Sequence, residues 1–352
     1  MIIRSRATPS TLLAVSLLAL ACGVGDEASD SQDFARVDVP EYTIDQFMET
    51  TSIFGSSFSP DGTKILVSTD ETGILNVYSV PVSGGDPTQL TSSTVESIRA
   101  SSYFPEDERF IYMADEGGNE LDHVYVRELD GSVTDLTPGE GLKASFAGWA
   151  KDDQSFYLAS NERDQRFFDL FEVSIDGYEK TLMYRDDTGY QFSGVSPDER
   201  YIAFVKPTTT NDSDIYLYDR EAGEMRHLTP HEGEVSNSVA DFSPDGGSLY
   251  VTTDEGSEFA YLVRMSLETG EREVIMQPDW DVWFAFFSET GRYLTIGINE
   301  DARTRIRMFE MPGMSEIELP AAPGLDITSV NVSDDESTMA FYASSSRSPR
   351  NL

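Results

Sequence analysis

One phrase recurs seven times along this chain at an almost constant interval, and the interval dictates the architecture. Ser59-Pro60-Asp61-Gly62 returns as Ser196-Pro197-Asp198-Glu199 and Ser243-Pro244-Asp245-Gly246. Looser copies are Phe104-Pro105-Glu106-Asp107, Ala150-Lys151-Asp152-Asp153, Ser288-Glu289-Thr290-Gly291 and Ser333-Asp334-Asp335-Glu336. Counted at the Pro60 position, the copies stand at 60, 105, 151, 197, 244, 289 and 334, in steps of 45 to 47 residues. A unit this short cannot bury its own apolar face and has to stack on its neighbours. Short strands repeated at this period make the blades of a propeller.

Each repeat has the same parts. An apolar strand such as Ile53 to Phe58 leads into the marker. The marker is a turn, in which Pro presets φ and Gly accepts φ > 0. A second strand begins four or five residues later, as at Ile65-Leu66-Val67, Phe156-Tyr157-Leu158 and Met339-Ala340-Phe341. A polar loop and an aromatic, β-branched third strand follow, as at Val124-Tyr125-Val126 and Ile215-Tyr216-Leu217-Tyr218. A glycine turn then leads to a short fourth strand such as Leu136-Thr137. Stacked blades bury both faces of each sheet, which explains strands that are apolar nearly throughout. Asp61, Asp198 and Asp245 are therefore read as turn residues rather than metal ligands.

The expected fold is all-β: a propeller of four-stranded antiparallel blades, six complete and a truncated seventh, over residues 41–352. The seventh repeat shows its first strand, turn and second strand, and reaches Leu352 where a third strand is due. Tyr42 to Thr51 is long enough to add one outer strand but not two. Six blades with a surplus hairpin, or a ring of seven or eight in a chain cut short, both fit; the second is preferred.

Asp and Glu number 63 against 25 Lys and Arg, a formal charge of −38. That balance repels nucleic acid. Five Lys against twenty Arg adds a second bias. Heavy acid with scarce Lys suits folding in high salt, where screening removes self-repulsion. Residues 1–21 read as a signal peptide, with Arg4 and Arg6 before an apolar stretch, Leu12 to Leu20, too short to span a bilayer. Leu18-Ala19-Leu20-Ala21-Cys22 resembles a bacterial lipoprotein signal, which implies cleavage before Cys22 and lipid attachment to its thiol. An ordinary secretory signal with an incidental cysteine is the other reading. Cys22 is the only cysteine, so no internal disulfide forms. Residues 22–40 read as a flexible tether. The expected location is outside the bacterial cytoplasm, in the periplasm or held at the outer membrane, with membrane contact only through Cys22.

Catalytic patterns are missing from the sequence. No Gly-x-Ser-x-Gly occurs; the look-alikes at Gly131-Ser132 and Gly247-Ser248 lack the second glycine. His227 and His231 have i,i+4 spacing, but Pro230 prevents a helix between them. With His123 they are expected to be exposed histidines at loops or strand ends. No metal and no cofactor is expected. What remains is a set of acidic loops between second and third strands, which all leave one face of the disc. They carry Asp70-Glu71, Asp115-Glu116 with Asn119-Glu120, Asn161 to Asp164, Asn211-Asp212, Asp254-Glu255 and Asn299 to Asp301. The candidate binding residues are Glu116, Glu120, Glu162, Arg163, Asp164, Asp254 and Glu300. Their ring of charge suits cations or the free amino termini of peptides. Equally, acids fill every loop of so acidic a chain, and Asp and Asn are ordinary turn residues. Arg163 is the least generic member: it can pair with a substrate carboxylate or carbonyl, or staple its own loop.

The markers, with Tyr42-Thr43-Ile44, Gly117 to Glu120, Asn161 to Leu170 and Ser346 to Leu352, resemble the amino-terminal half of bacterial S9 serine peptidases. That group includes prolyl oligopeptidases and acylaminoacyl and dipeptidyl peptidases; TolB-like propellers are more distant. The resemblance implies a propeller that caps an α/β-hydrolase domain, filters peptides by size and, in dipeptidyl peptidases, holds the substrate amino terminus with acids. No hydrolase residues lie in this sequence, so no catalytic residue carries over. Two functions are expected: the non-catalytic propeller portion of an exported S9 peptidase, whose partners are peptides and a hydrolase domain; or a free-standing binding propeller that scaffolds a partner protein.

Overall fold

A computed structural model describes residues 41–322 and 325–352. The signal peptide, Cys22 and the tether lie outside the described residues. The chain divides into two units, residues 1–48 and 49–352. The described part of the first holds one short helix, Ile44–Met48. Thr43 Oγ1 accepts the Gln46 amide at 3.2 Å, and Gln46 Oε1 accepts the Thr43 amide at 2.9 Å. This reciprocal capping box explains why Tyr42 to Thr51 starts as a helix rather than as the outer strand it is long enough to supply.

The second unit is a ring of seven antiparallel sheets. Six have four strands in chain order and the last has three. The inner strands are Ile53–Phe58, Arg99–Tyr103, Ala144–Trp149, Gln191–Val195, Asn237–Phe242, Asp281–Phe287 and Asp326–Val332. Every inner strand carries a register shift against its second strand. Such bulges sharpen the local twist, as strands crowded around an axis require. The core lies between blades. Phe104, Ile111, Val124 and Val126 of the second blade pack against Phe156, Leu158 and Val173 of the third.

Seven sheets exclude the six-bladed alternative. The last blade also gains a strand over the expectation: Ser348–Asn351 pairs with Met339–Ser345. The two-residue turn Ser346-Arg347 sets Ser348 opposite Ser345, short enough to fold back at once. Side chains rather than a shared strand join this blade to the first. The Tyr342 hydroxyl donates to the Gly55 carbonyl, Asn331 Nδ2 donates to the Ser56 carbonyl at 2.5 Å, and Ala340 joins Phe58, Ile65, Val67 and Tyr78 in one cluster.

Candidate functional site: the two mouths of the ring

The repeated marker builds one mouth. Ser59 Oγ donates to Asp61 Oδ1 at 2.7 Å, Asp61 Oδ1 accepts the Thr63 amide at 3.0 Å, and Ser59 Oγ accepts the Lys64 amide at 3.0 Å. The Ser-to-Asp bond recurs at 2.6 Å in Ser196/Asp198, Ser243/Asp245 and Ser333/Asp335. These bonds to Ser59 and Thr63 hold the Asp61 carboxyl down at about 2. The aspartates are spent on the turn, as expected. Glu199 and Glu336 replace the marker glycine and still take positive φ, 58° and 56°. Glu336 compensates by accepting the Thr290 amide at 3.0 Å from the neighbouring blade.

The hairpins between second and third strands leave by the opposite face, because successive strands are antiparallel. There the candidate residues sort into two groups. Five are committed close to home. Glu162 Oε2 accepts Lys180 Nζ at 2.6 Å, and Asp164 Oδ2 accepts Arg166 Nη2 at 2.7 Å. Asp254 Oδ1 accepts the Ser236 amide at 2.8 Å, and Glu300 Oε2 accepts Arg305 Nη1 at 3.3 Å. Arg163 clasps Asp169 with two bonds, Nε to Oδ2 at 2.6 Å and Nη2 to Oδ1 at 2.7 Å, and its Nη2 also donates to the Asp186 carbonyl. Of the two readings left open for Arg163, this geometry is the staple. The other two residues, Glu116 and Glu120, are exposed on one hairpin, and among the described residues nothing pairs with their carboxylates. No two of the seven meet across blades.

Of the histidines, His227 is exposed at a strand end as expected, whereas His123 is half-buried and the His231 side chain is buried. His231 has a side chain only 7% exposed, its Nε2 2.9 Å from Asp212 Oδ1 and its Nδ1 2.9 Å from the Thr229 carbonyl. Those bonds, the carbonyl first, raise its pKa. His227 stacks on Tyr216 at 4.5 Å and reaches Asp214 at 2.7 Å. In so acidic a chain each of the three meets a carboxylate, Asp135 for His123, Asp214 for His227 and Asp212 for His231. Among the described residues no group of three or more His, Cys, Asp or Glu is placed to hold a metal ion. No helix there is long and apolar enough to cross a membrane.

The sequence reading missed the apolar part of the loop face. Trp280 and Trp283 sit at the start of the sixth inner strand, the end away from the marker, and Trp283 is 58% exposed. Phe259, from the neighbouring hairpin, lies 6.0 Å from Trp280. Between the third and fourth blades a cavity of 490 Å³ opens, lined by Phe146, Phe168, Leu170, Tyr190, Phe192 and Phe204. Paired tryptophans three residues apart were the available signal; their exposure was not readable, because the same letters fill cores.

Residues 86–352 match the family model of the prolyl oligopeptidase N-terminal beta-propeller domain. The chain belongs to that family. It is 27% identical to dipeptidyl aminopeptidase BIII of Pseudoxanthomonas mexicana over 227 residues, covering 62% of this chain and 32% of that protein. A solved prolyl endopeptidase superposes with TM-score 0.67 at 15% identity, covering 86% of this chain and 47% of that one. An oligogalacturonate lyase solved with manganese gives 0.61 at 14% identity, covering 85% and 89%. At these identities the two structures show the fold alone. This chain thus spans about a third of its curated relative and about half of the prolyl endopeptidase.

Proposed function

We propose that this chain is the non-catalytic, substrate-admitting propeller of an exported serine peptidase of the S9 group, with peptide hydrolysis supplied by an α/β-hydrolase part. The observation that carries the reading is the family match over residues 86–352 in a sequence that holds no Gly-x-Ser-x-Gly. The loop face supports it as the peptide-facing side. It combines unpaired carboxylates at Glu116 and Glu120, suited to a free amino terminus, with exposed indoles and an apolar slot suited to side chains. Export and a lipid anchor at Cys22 belong to the same proposal and rest on residues 1–22 of the sequence.

The test has two arms. The purified chain is offered aminoacyl and dipeptidyl p-nitroanilides, and no turnover is expected. It is then titrated with a dipeptide amide bearing a free amino terminus, and with the same amide acetylated. The free amine should bind more tightly, and Glu116→Gln with Glu120→Gln should remove the difference. Turnover by the chain alone overturns the non-catalytic reading. Equal binding of both peptides favours the scaffold alternative.

A further inference from the structure

The marker position lines the other mouth of the tunnel. Four copies place proline there, and Pro105, Pro197 and Pro244 border the opening. The three copies without proline put Lys151, Glu289 and Asp334 at the same level. Lys151 belongs to the third blade and Glu289 to the sixth, 138 residues away on the opposite wall. They meet nevertheless. Lys151 Nζ donates both to Glu289 Oε1 and to the Glu289 carbonyl.

The contact spans the opening rather than joining neighbours. On one side lies a chamber of 530 Å³ bordered by blades one, two, three, six and seven; on the other, one of 460 Å³ bordered by blades three to six. Trp149, Asp153 and Glu289 border both chambers. Among the described residues that line the two chambers Lys151 is the one cation, and besides Glu289 the charged groups are Asp153, Asp241 and Asp334. No proline could make this contact, and no turn needs it: the other four copies fold without a charge at that position.

We propose that Lys151 and Glu289 form a releasable strap that divides and closes the marker-side mouth. Its exposure supports release. The two side chains are 46% and 49% exposed, so the pair is weak, and salt screens it. A strap of this kind holds the mouth narrow at rest and yields without disturbing any blade. The inference stands independently of the peptidase reading, because it concerns access to the tunnel and not what enters.

The protein carries its own reporter. Trp280→Phe and Trp283→Phe leave Trp149 as the sole tryptophan, seated in both chambers. Acrylamide, a neutral quencher indifferent to the net charge, reads its accessibility. With the strap closed the Stern–Volmer constant is low. Lys151→Met and Glu289→Gln should each raise it about two-fold or more, and the exchange Lys151→Glu with Glu289→Lys should restore it. Raising salt from about 0.2 M to about 2 M should open the parent protein in the same way and leave the two single variants unchanged. Equal constants in every variant overturn the proposal. So does a rise that the exchange fails to reverse while circular dichroism and melting match the parent. The salt arm, made on the unaltered pair, decides the matter if a variant does not fold.

Discussion

Asp169→Ala separates a structural Arg163 from one free to hold a ligand. Asp169 is 2% exposed and accepts three donors: Arg163 Nε at 2.6 Å, Arg163 Nη2 at 2.7 Å and the Asp186 amide at 2.8 Å. Truncation removes the buried partner of the guanidinium, which keeps only the exposed Asp187 carboxylate at 3.2 Å and the Asp186 carbonyl, and it orphans the Asp186 amide. Breaking a buried pair from one side costs about 3–5 kcal/mol. The Arg163 side chain is 29% exposed, so water recovers part of it, and about 3 kcal/mol is expected. At about 2–4 °C per kcal/mol for a chain of this size, melting should fall by about 6–12 °C. The pH profile gives an independent check. Burial pushes the Asp169 carboxyl up, but Arg163 and the Asp186 amide pull it down further, and the net shift is downward. A folded value below the unfolded one means that the stabilisation is complete above the ordinary 3.8 and is lost as pH falls through the lower folded value. Asp169→Ala should lose that acid limb. Arg163→Met with Asp169→Leu should regain most of the stability, since an apolar pair replaces a buried ion pair at little cost. Urea melts of the three proteins decide it. A loss below about 1 kcal/mol, less than even a modest buried pair implies, would refute the staple and return Arg163 to the candidate ligand groups.

Three further outcomes follow from the same geometry. Gly291 has φ 78°, and a Cβ there would sit 2.1 Å from Pro244 Cγ, whereas Gly62, at φ 66°, has open space. Gly62→Ala should therefore cost about 1–2 kcal/mol for backbone strain alone, and Gly291→Ala clearly more; equal urea midpoints for the two would show that neighbouring markers do not pack. Burial raises the Asp241 carboxyl to about 6, against the pull of the Phe287 and Phe242 amides it accepts. The folded state then holds the extra proton between about 4 and 6, so stability should decline as pH rises through that window, and Asp241→Asn should flatten the decline. With a net charge of −38, the melting temperature should climb steeply from low to molar salt; a flat curve removes the case for a saline habitat.

Much of the ring is legible in the letters because turn chemistry is local. Ser59, Asp61 and Gly62 bond within five residues of one another, so their pattern survives in the sequence as a fixed phrase. The alternation of strand and turn is local for the same reason, and the order of strands in each blade follows from it. Two kinds of information are not local. Whether an indole is covered depends on which neighbour arrives, and Trp283 and Trp149 look alike until the sixth and third blades are in place. Whether a charge is free depends on a partner in another strand. Arg163 is open to two readings in the sequence because its partners sit in other segments, Asp169 across one turn and Asp186 across two, whereas Glu116 and Glu120 look no different and remain unpaired among the described residues. The helix at Ile44–Met48 is a case where local evidence was present and outweighed: Thr43 and Gln46 already formed a capping box in the sequence.

The marker itself shows where a repeat hides what matters. Aligning seven copies favours what they share, and what they share here is turn geometry. Rotation about the ring axis then sets every copy of one position at one height around one opening. A departure from the shared residue at that position is therefore never scattered over the surface; it faces the departures of the other blades. Lys151, Glu289 and Asp334 score as the poorest matches to the phrase, and for that reason they are the residues able to interact across the mouth. In a stack of repeats that does not close, the same substitutions would lie about a repeat or more apart along a ridge, out of reach. Closure converts imperfect copies into a site, so in this fold the weak copies at axial positions are the first places to look for function.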